Sequence, residues 1–82
     1  MKARVFVSLK PTVLDPQGVT IRSALASLGH ASIADVRQGK YFDITLSNSA
    51  TDREAVAKEI DEISRDVLSN PVIEEFRVEL LD

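Results

Sequence analysis

The lone histidine, His30, and a run of carboxylates from Glu54 to Asp66 are the nearest this sequence comes to acid–base chemistry. An imidazole moves protons near neutral pH, but as a base or metal ligand it needs a serine, a carboxylate or a second ligand at defined spacing. His30 follows Gly29 without such a partner and reads as a loop residue. The carboxylates interleave with Lys58 and Arg65 at helical spacing, the pattern of a solvated helix face. With no cysteine, thiolate nucleophiles, thiolate metal sites and disulfides are excluded. Gly18, Gly29 and Gly39 lie too far apart for a phosphate loop or a dinucleotide fingerprint. Arg37, Gly39 and Lys40 could grip an anion, but one glycine between basic residues is weak evidence and a solvated turn is the better reading. The expectation is a chain with no catalytic residue, no metal and no cofactor of its own.

The stretch that organises the sequence is Leu9-Lys10-Pro11-Thr12-Val13-Leu14-Asp15-Pro16-Gln17-Gly18. Pro11 donates no amide hydrogen and ends a strand ladder. Asp15 suits a helix N-cap, and Pro16 then stands at the first helical position, where a missing N–H costs nothing. Leu14 and Val19 occupy the positions of a hydrophobic staple. Gly18 weakens the first turn and leaves bare backbone there for close approach.

Around this corner the elements follow from periodicity. Residues 3–9 alternate: Ala3, Val5, Val7 and Leu9 face one way, and Arg4, Phe6, Ser8 and Lys10 the other. Residues 16–28 carry a helical stripe of Val19, Ile21, Ala24, Leu25 and Leu28, closed by Gly29 at C′. Ile33–Gln38 reads as a short, irregular strand and 41–47 as another, joined by Gln38-Gly39-Lys40 as a hairpin, with Phe42, Ile44 and Leu46 inward. A loop at Asn48-Ser49-Ala50 leads to Thr51 and Glu54 as a capping box. A helix over roughly 52–69 then carries Val56, Ile60, Ile63, Val67 and Leu68 inward, and Asn70-Pro71 stops it. Glu75–Leu81 is a final strand with Phe76, Val78 and Leu80 inward.

The order β-α-β-β-α-β predicts a single α+β domain over residues 1–82: a two-layer sandwich of ferredoxin-like type. Its four-stranded antiparallel sheet has both helices on one face and the first and third strands at the centre. The second sheet face is left uncovered, with Phe6, Tyr41 and Leu81 among Arg4, Lys10, Asp43, Arg77 and Glu79. Apolar groups rimmed by charge on an open face mark these three as self-association candidates, in a dimer or a tetramer.

The net charge of −3 is unevenly divided: residues 1–41 hold six Lys or Arg against two acids, and residues 42–82 hold four against eleven, giving +4 and −7. The acidic balance argues against nucleic acid, which calls for a concentrated basic face. No apolar run approaches the roughly 20 residues needed to cross a bilayer, and the N-terminus lacks a signal-peptide core. A soluble, cytoplasmic protein without membrane or nucleic-acid partners is expected.

Three segments carry a family resemblance: residues Leu9 to Gly18 quoted above, then Val36-Arg37-Gln38-Gly39-Lys40, then Asn70-Pro71-Val72-Ile73-Glu74-Glu75-Phe76. In order and spacing they resemble the PurS family, the small subunits of the multi-subunit phosphoribosylformylglycinamidine synthase of purine biosynthesis. The resemblance implies a non-catalytic subunit. In that family a large synthetase subunit uses ATP to activate the amide oxygen of formylglycinamide ribonucleotide, and a glutaminase subunit releases ammonia from glutamine. The small subunit, as a dimer, joins the two and assists ammonia transfer. Partner-contact candidates on this reading are Lys10, Asp15, Gln17, Gly18, Arg37, Gly39 and Lys40. Two other functions suit the same element order. One is an ACT-like regulatory domain that binds amino acids between copies. The other is an acylphosphatase-like enzyme, whose glycine-rich anion loop after the first strand is missing here.

Overall fold

The alternating residues at the start of the chain form its spine. In the computed structural model, which describes residues 1–47 and 51–81, strand β1 (Lys2–Leu9) buries Ala3, Val5 and Val7 almost completely. Strands β2 (Gly39–Thr45) and β3 (Glu74–Leu81) flank it, both antiparallel, in the order β2-β1-β3. Val5 stands opposite Phe42 on one side and Val78 on the other, so the inward sets of all three strands share one face.

Helix α2 (Arg53–Ile63) lies on that face, leaning toward β3, and adds Val56 and Ile60 to the core. Its cap is Asp52, not the expected Thr51. The Asp52 carboxylate accepts the amides of Glu54 and Ala55 at 3.1 and 3.3 Å, and an ionised oxygen is a better acceptor for orphan amides than a hydroxyl. Beyond Ile63 the helix widens into a π-helical turn, Ser64–Leu68. Buried Ser64 donates its hydroxyl to the Ile60 carbonyl at 2.6 Å, and Ser69 donates to the Ser64 carbonyl at 2.7 Å. A π turn inserts one residue into the helical register. Val67, expected inward, is therefore 75% exposed, and Leu68 packs against the core instead.

The four-stranded sheet does not form. The described residues give β-α-β-α-β with a three-stranded sheet, still of the ferredoxin-like kind. The missing strand is the segment Ile33–Gln38, whose backbone is engaged elsewhere. Val36 N–H donates to the Asp35 side chain at 3.0 Å and Gln38 N–H to the Asp15 carboxylate at 2.6 Å. Committed amides cannot join a ladder. As a result β2 lies at an edge of the sheet, not at its centre. The expected loop at Asn48-Ser49-Ala50 lies outside the described residues.

Helix α1 (Pro16–Ser27) is the second departure. It buries only Gly18 and does not lie beside α2 on the sheet. The molecule is accordingly long, 51 × 26 × 14 Å, with a radius of gyration of 16.4 Å. A compact domain of this length would have roughly 12 Å.

Candidate functional site

At the strand-to-helix corner one carboxylate holds two chain segments together. Asp15 caps α1 from extended backbone, with Pro16 at the first helical position. Its side chain, 4% exposed, accepts the Gly18 amide at 3.1 Å on one oxygen and the Gln38 amide at 2.6 Å on the other. These hydrogen bonds, the one from Gln38 foremost, hold the carboxyl below its ordinary value against the opposing effect of burial. Gly18 allows the segments to meet: a Cβ there would stand 2.0 Å from the Val36 carbonyl oxygen. The misfit glycine of the first turn thus marks a close backbone approach.

The neighbouring side chains tighten the same junction. The Arg37 guanidinium donates to the carbonyls of Lys10 at 3.0 Å and Val13 at 2.7 Å. The Gln38 side-chain amide donates to that of Gln17 at 2.7 Å. Lys10 N–H donates to the Ile73 carbonyl at 2.8 Å, bringing in the turn before β3. That turn is built on Asn70, whose side chain accepts the Val72 amide at 3.1 Å while its carbonyl accepts the Glu74 amide at 2.7 Å. The three segments singled out in the sequence therefore converge on one corner. A cleft of ≈ 270 Å³ opens beside it, lined in part by Ser8, Asp15, Gln17, Gln38, Lys40 and Glu74.

The predicted residues have different roles here. Asp15 and Gly18 are buried and set the corner's shape, while Arg37 turns its Nη2 donors to carbonyls of its own chain. An anion cradle from Arg37, Gly39 and Lys40 does not result. Gln17, Gly39 and Lys40 are exposed and Lys10 half-buried. The Lys40 ammonium lies over the Phe42 ring, 5.6 Å from its centre. Leu14 and Val19 form no buried staple, being 72% and 52% exposed; the Asp15–Gln38 bond fixes the helix instead. Gln38 and Ile73, which belong to the family segments but were not among the contact candidates, contribute through main-chain groups, and Gln38 through its side-chain amide as well. His30 helps close α1: its amide donates to the Leu25 carbonyl at 2.9 Å, beyond Gly29 at φ 94°.

The open sheet face gathers Phe6, Tyr41 and Leu81 as expected from register. Phe6 and Tyr41 have ring centres 6.1 Å apart. Arg77 sits over Phe6 at 4.3 Å and Arg4 over Tyr41 at 4.8 Å. Arg4 also donates to Asp43 at 2.7 Å, which lowers the Asp43 carboxyl below its usual range. Leu81 lies across from Lys2 on the same face.

Chemically, the corner is a clasp, and the sheet face is an open surface of aromatic rings under guanidinium groups. A carboxylate held acidic by two amides is a weak base. Among the described residues, no group of three His, Asp or Glu is placed to hold a metal. No described helix is long and apolar enough to cross a membrane.

Fold and site together define a class: an elongated α+β chain of the ferredoxin-like kind, with a pinned corner and one open sheet face. Comparison with known proteins narrows it. The profile of the PurS family, described as phosphoribosylformylglycinamidine (FGAM) synthase, matches residues 2–82. The PurS subunit of that synthase from Bacillus subtilis is 43% identical over 79 residues, covering 96% of this chain and 90% of the relative. The PurS subunit from Mycobacterium leprae is 40% identical over 77 residues, covering 94% and 91%. Among solved structures, Methanocaldococcus jannaschii PurS superposes with a TM-score of 0.82 at 36% identity, covering 95% of this chain and 92% of that one. It is described as one of the subunits of formylglycinamide ribonucleotide amidotransferase in the purine biosynthetic pathway. A chain of the PurLQS structure from Thermotoga maritima superposes with a TM-score of 0.85 at 28% identity, covering 98% and 95%. The chain belongs to the PurS family.

Proposed function

We propose that this chain is the non-catalytic PurS subunit of FGAM synthase in purine biosynthesis, joining the synthetase and glutaminase subunits and assisting ammonia transfer between them. The observation that carries the reading is that all three family segments meet in the clasp around Asp15. A bridge must hold two surfaces at fixed separation, and a junction pinned through Asp15, Arg37 and Lys10 is rigid enough to do so. The likeness in shape to a chain of the PurLQS structure supports the same reading, and full-length family membership favours it over an ACT-like regulatory domain.

The ATP and glutamine chemistry then belongs to the partners, and this chain needs no cofactor. Lys10, Gln17, Gly39 and Lys40 are the corner's contact residues, while Asp15, Gly18 and Arg37 hold their shape. The open face of Phe6, Tyr41 and Leu81 meets a second copy, giving a homodimer or homotetramer in the cytoplasm. Keeping ammonia from water matters because ammonium is not a nucleophile.

Reconstitution tests the proposal. The synthetase and glutaminase subunits are mixed with and without this chain, and glutamine-dependent and ammonia-dependent product formation are measured. Glutamine-dependent turnover should need the chain and ammonia-dependent turnover much less so. Equal glutamine-dependent rates in its absence would overturn the proposal.

A further inference from the structure

The cleft beside the clasp gathers polar groups that the chain itself leaves open. It lies at the corner end of the sheet, where Val7 stands opposite Lys40 of β2 and Leu9 opposite Glu74 of β3. Val7 and Leu9 give it an apolar lining between a cationic wall and an anionic one. Among the described residues no ion pair joins these two charges. The Lys40 ammonium there meets the Phe42 ring and no carboxylate. Glu74 accepts the Asn70 amide at 2.7 Å on Oε1, and among the described residues nothing donates to its other oxygen.

A third wall carries an incomplete amide pair. Gln38 Nε2 donates to Gln17 Oε1 at 2.7 Å. That bond leaves the Gln17 Nε2 donor and the Gln38 Oε1 acceptor without a partner among the described residues. A free donor and a free acceptor on two joined amides complement one further primary carboxamide. Asp15 shares this wall, but each of its oxygens already accepts a main-chain amide. At ≈ 270 Å³ the cleft is smaller than the roughly 300–1,000 Å³ of drug-sized sites, which suits a small metabolite.

We propose that this cleft binds a free amino acid with a carboxamide side chain, glutamine or asparagine. Lys40 takes the α-carboxylate and Glu74 the α-ammonium, each as a charge-assisted hydrogen bond. The side-chain carboxamide donates to Gln38 Oε1 and accepts from Gln17 Nε2, while its methylenes lie on Val7 and Leu9. Lys40 and Glu74 stand on strands either side of β1, two strand spacings or about 10 Å apart, and their side chains reach inward across that gap. Glutamate fits less well, because it has no amide donor and brings another carboxylate toward Asp15 and Glu74. The site lies within one chain, not between copies.

The test uses this chain without the synthetase or glutaminase subunits, so its failure and the failure of the bridging reading are separable. The chain enriched in 15N is titrated to millimolar ligand with L-glutamine, L-asparagine, L-glutamate and glutaramate, which is glutamine without its α-amine. Saturable shifts of the Leu9, Gln17, Gln38, Gly39 and Glu74 amides are expected with glutamine or asparagine. Glutamate and glutaramate should each bind about tenfold more weakly, the loss of one charge-assisted or amide contact. No saturable shift with either carboxamide, or equal affinity for glutamine and glutamate, would overturn the proposal. In a second measurement, Lys40→Met keeps the aliphatic stem, removes the ammonium and should raise the dissociation constant about tenfold. An unchanged constant in that variant, with the rest of its amide spectrum as in the parent, would also count against it.

Discussion

Asp15 shows how one side chain can act as cap and rivet together. Because amide hydrogen bonds stabilise its ionised form, its contribution is complete above the ordinary carboxyl value of 3.8 and lost as pH falls through the lower folded value. On acidification the unfolded chain takes up the proton first, so stability falls. Urea midpoints measured from pH 6 downward should drop through this range. In Asp15→Asn the drop should be shallower, since the amide group has one oxygen and cannot accept both Gly18 and Gln38. Gly18 makes the complementary case. Gly18→Ala forces a methyl against the Val36 carbonyl and should cost roughly 1–3 kcal/mol, the usual range for overpacking. Glutamine-dependent turnover in the reconstituted synthase should weaken with it, because the corner must open to admit the methyl.

Among the elements, α2 offers the sharpest contrast. Ile60 is fully buried under the sheet, and Ile60→Ala should cost about 2–5 kcal/mol. Val67→Lys, one residue of the same sequence stripe, should change stability by less than about 0.5 kcal/mol, because the π turn points Val67 to solvent. Chemical denaturation of the two variants checks both. The pair also shows what a sequence can and cannot disclose. β1, β3 and both helices were legible because their apolar periods are local and unbroken. Asp15, Pro16 and Gly18 were legible as a corner because capping and turn chemistry act within a few residues. The fate of Ile33–Gln38 was not, since its amides are claimed by Asp35 and by Asp15, the latter 23 residues from Gln38. Nor was the place of α1: its stripe reads as a buried face, yet the structure leaves Val19 and Leu28 exposed and buries only Gly18. The shifted register at Val67 escaped for a third reason, because a single inserted residue leaves the spacing of the apolar positions unaltered.

At the scale of the whole molecule, charge and shape act together. Halves of +4 and −7 attract when copies meet head to tail, and such attraction between exposed groups is screened by salt. Self-association followed by light scattering should therefore weaken as sodium chloride rises from 0.05 to 0.5 M on the order of a Debye-screening effect. Association that strengthened with salt would instead assign the contact to apolar burial alone. An elongated protomer has a large surface for its mass, which suits a part whose work is contact.

Tyr41 is the only tyrosine, and the chain has no tryptophan. It stands 58% exposed on the open sheet face with the Arg4 guanidinium against its ring. The tyrosine emission of the unmodified protein consequently originates at that one position. Every event that covers or uncovers the face changes the brightness of a single built-in lamp, and can be timed by stopped-flow without attaching a dye.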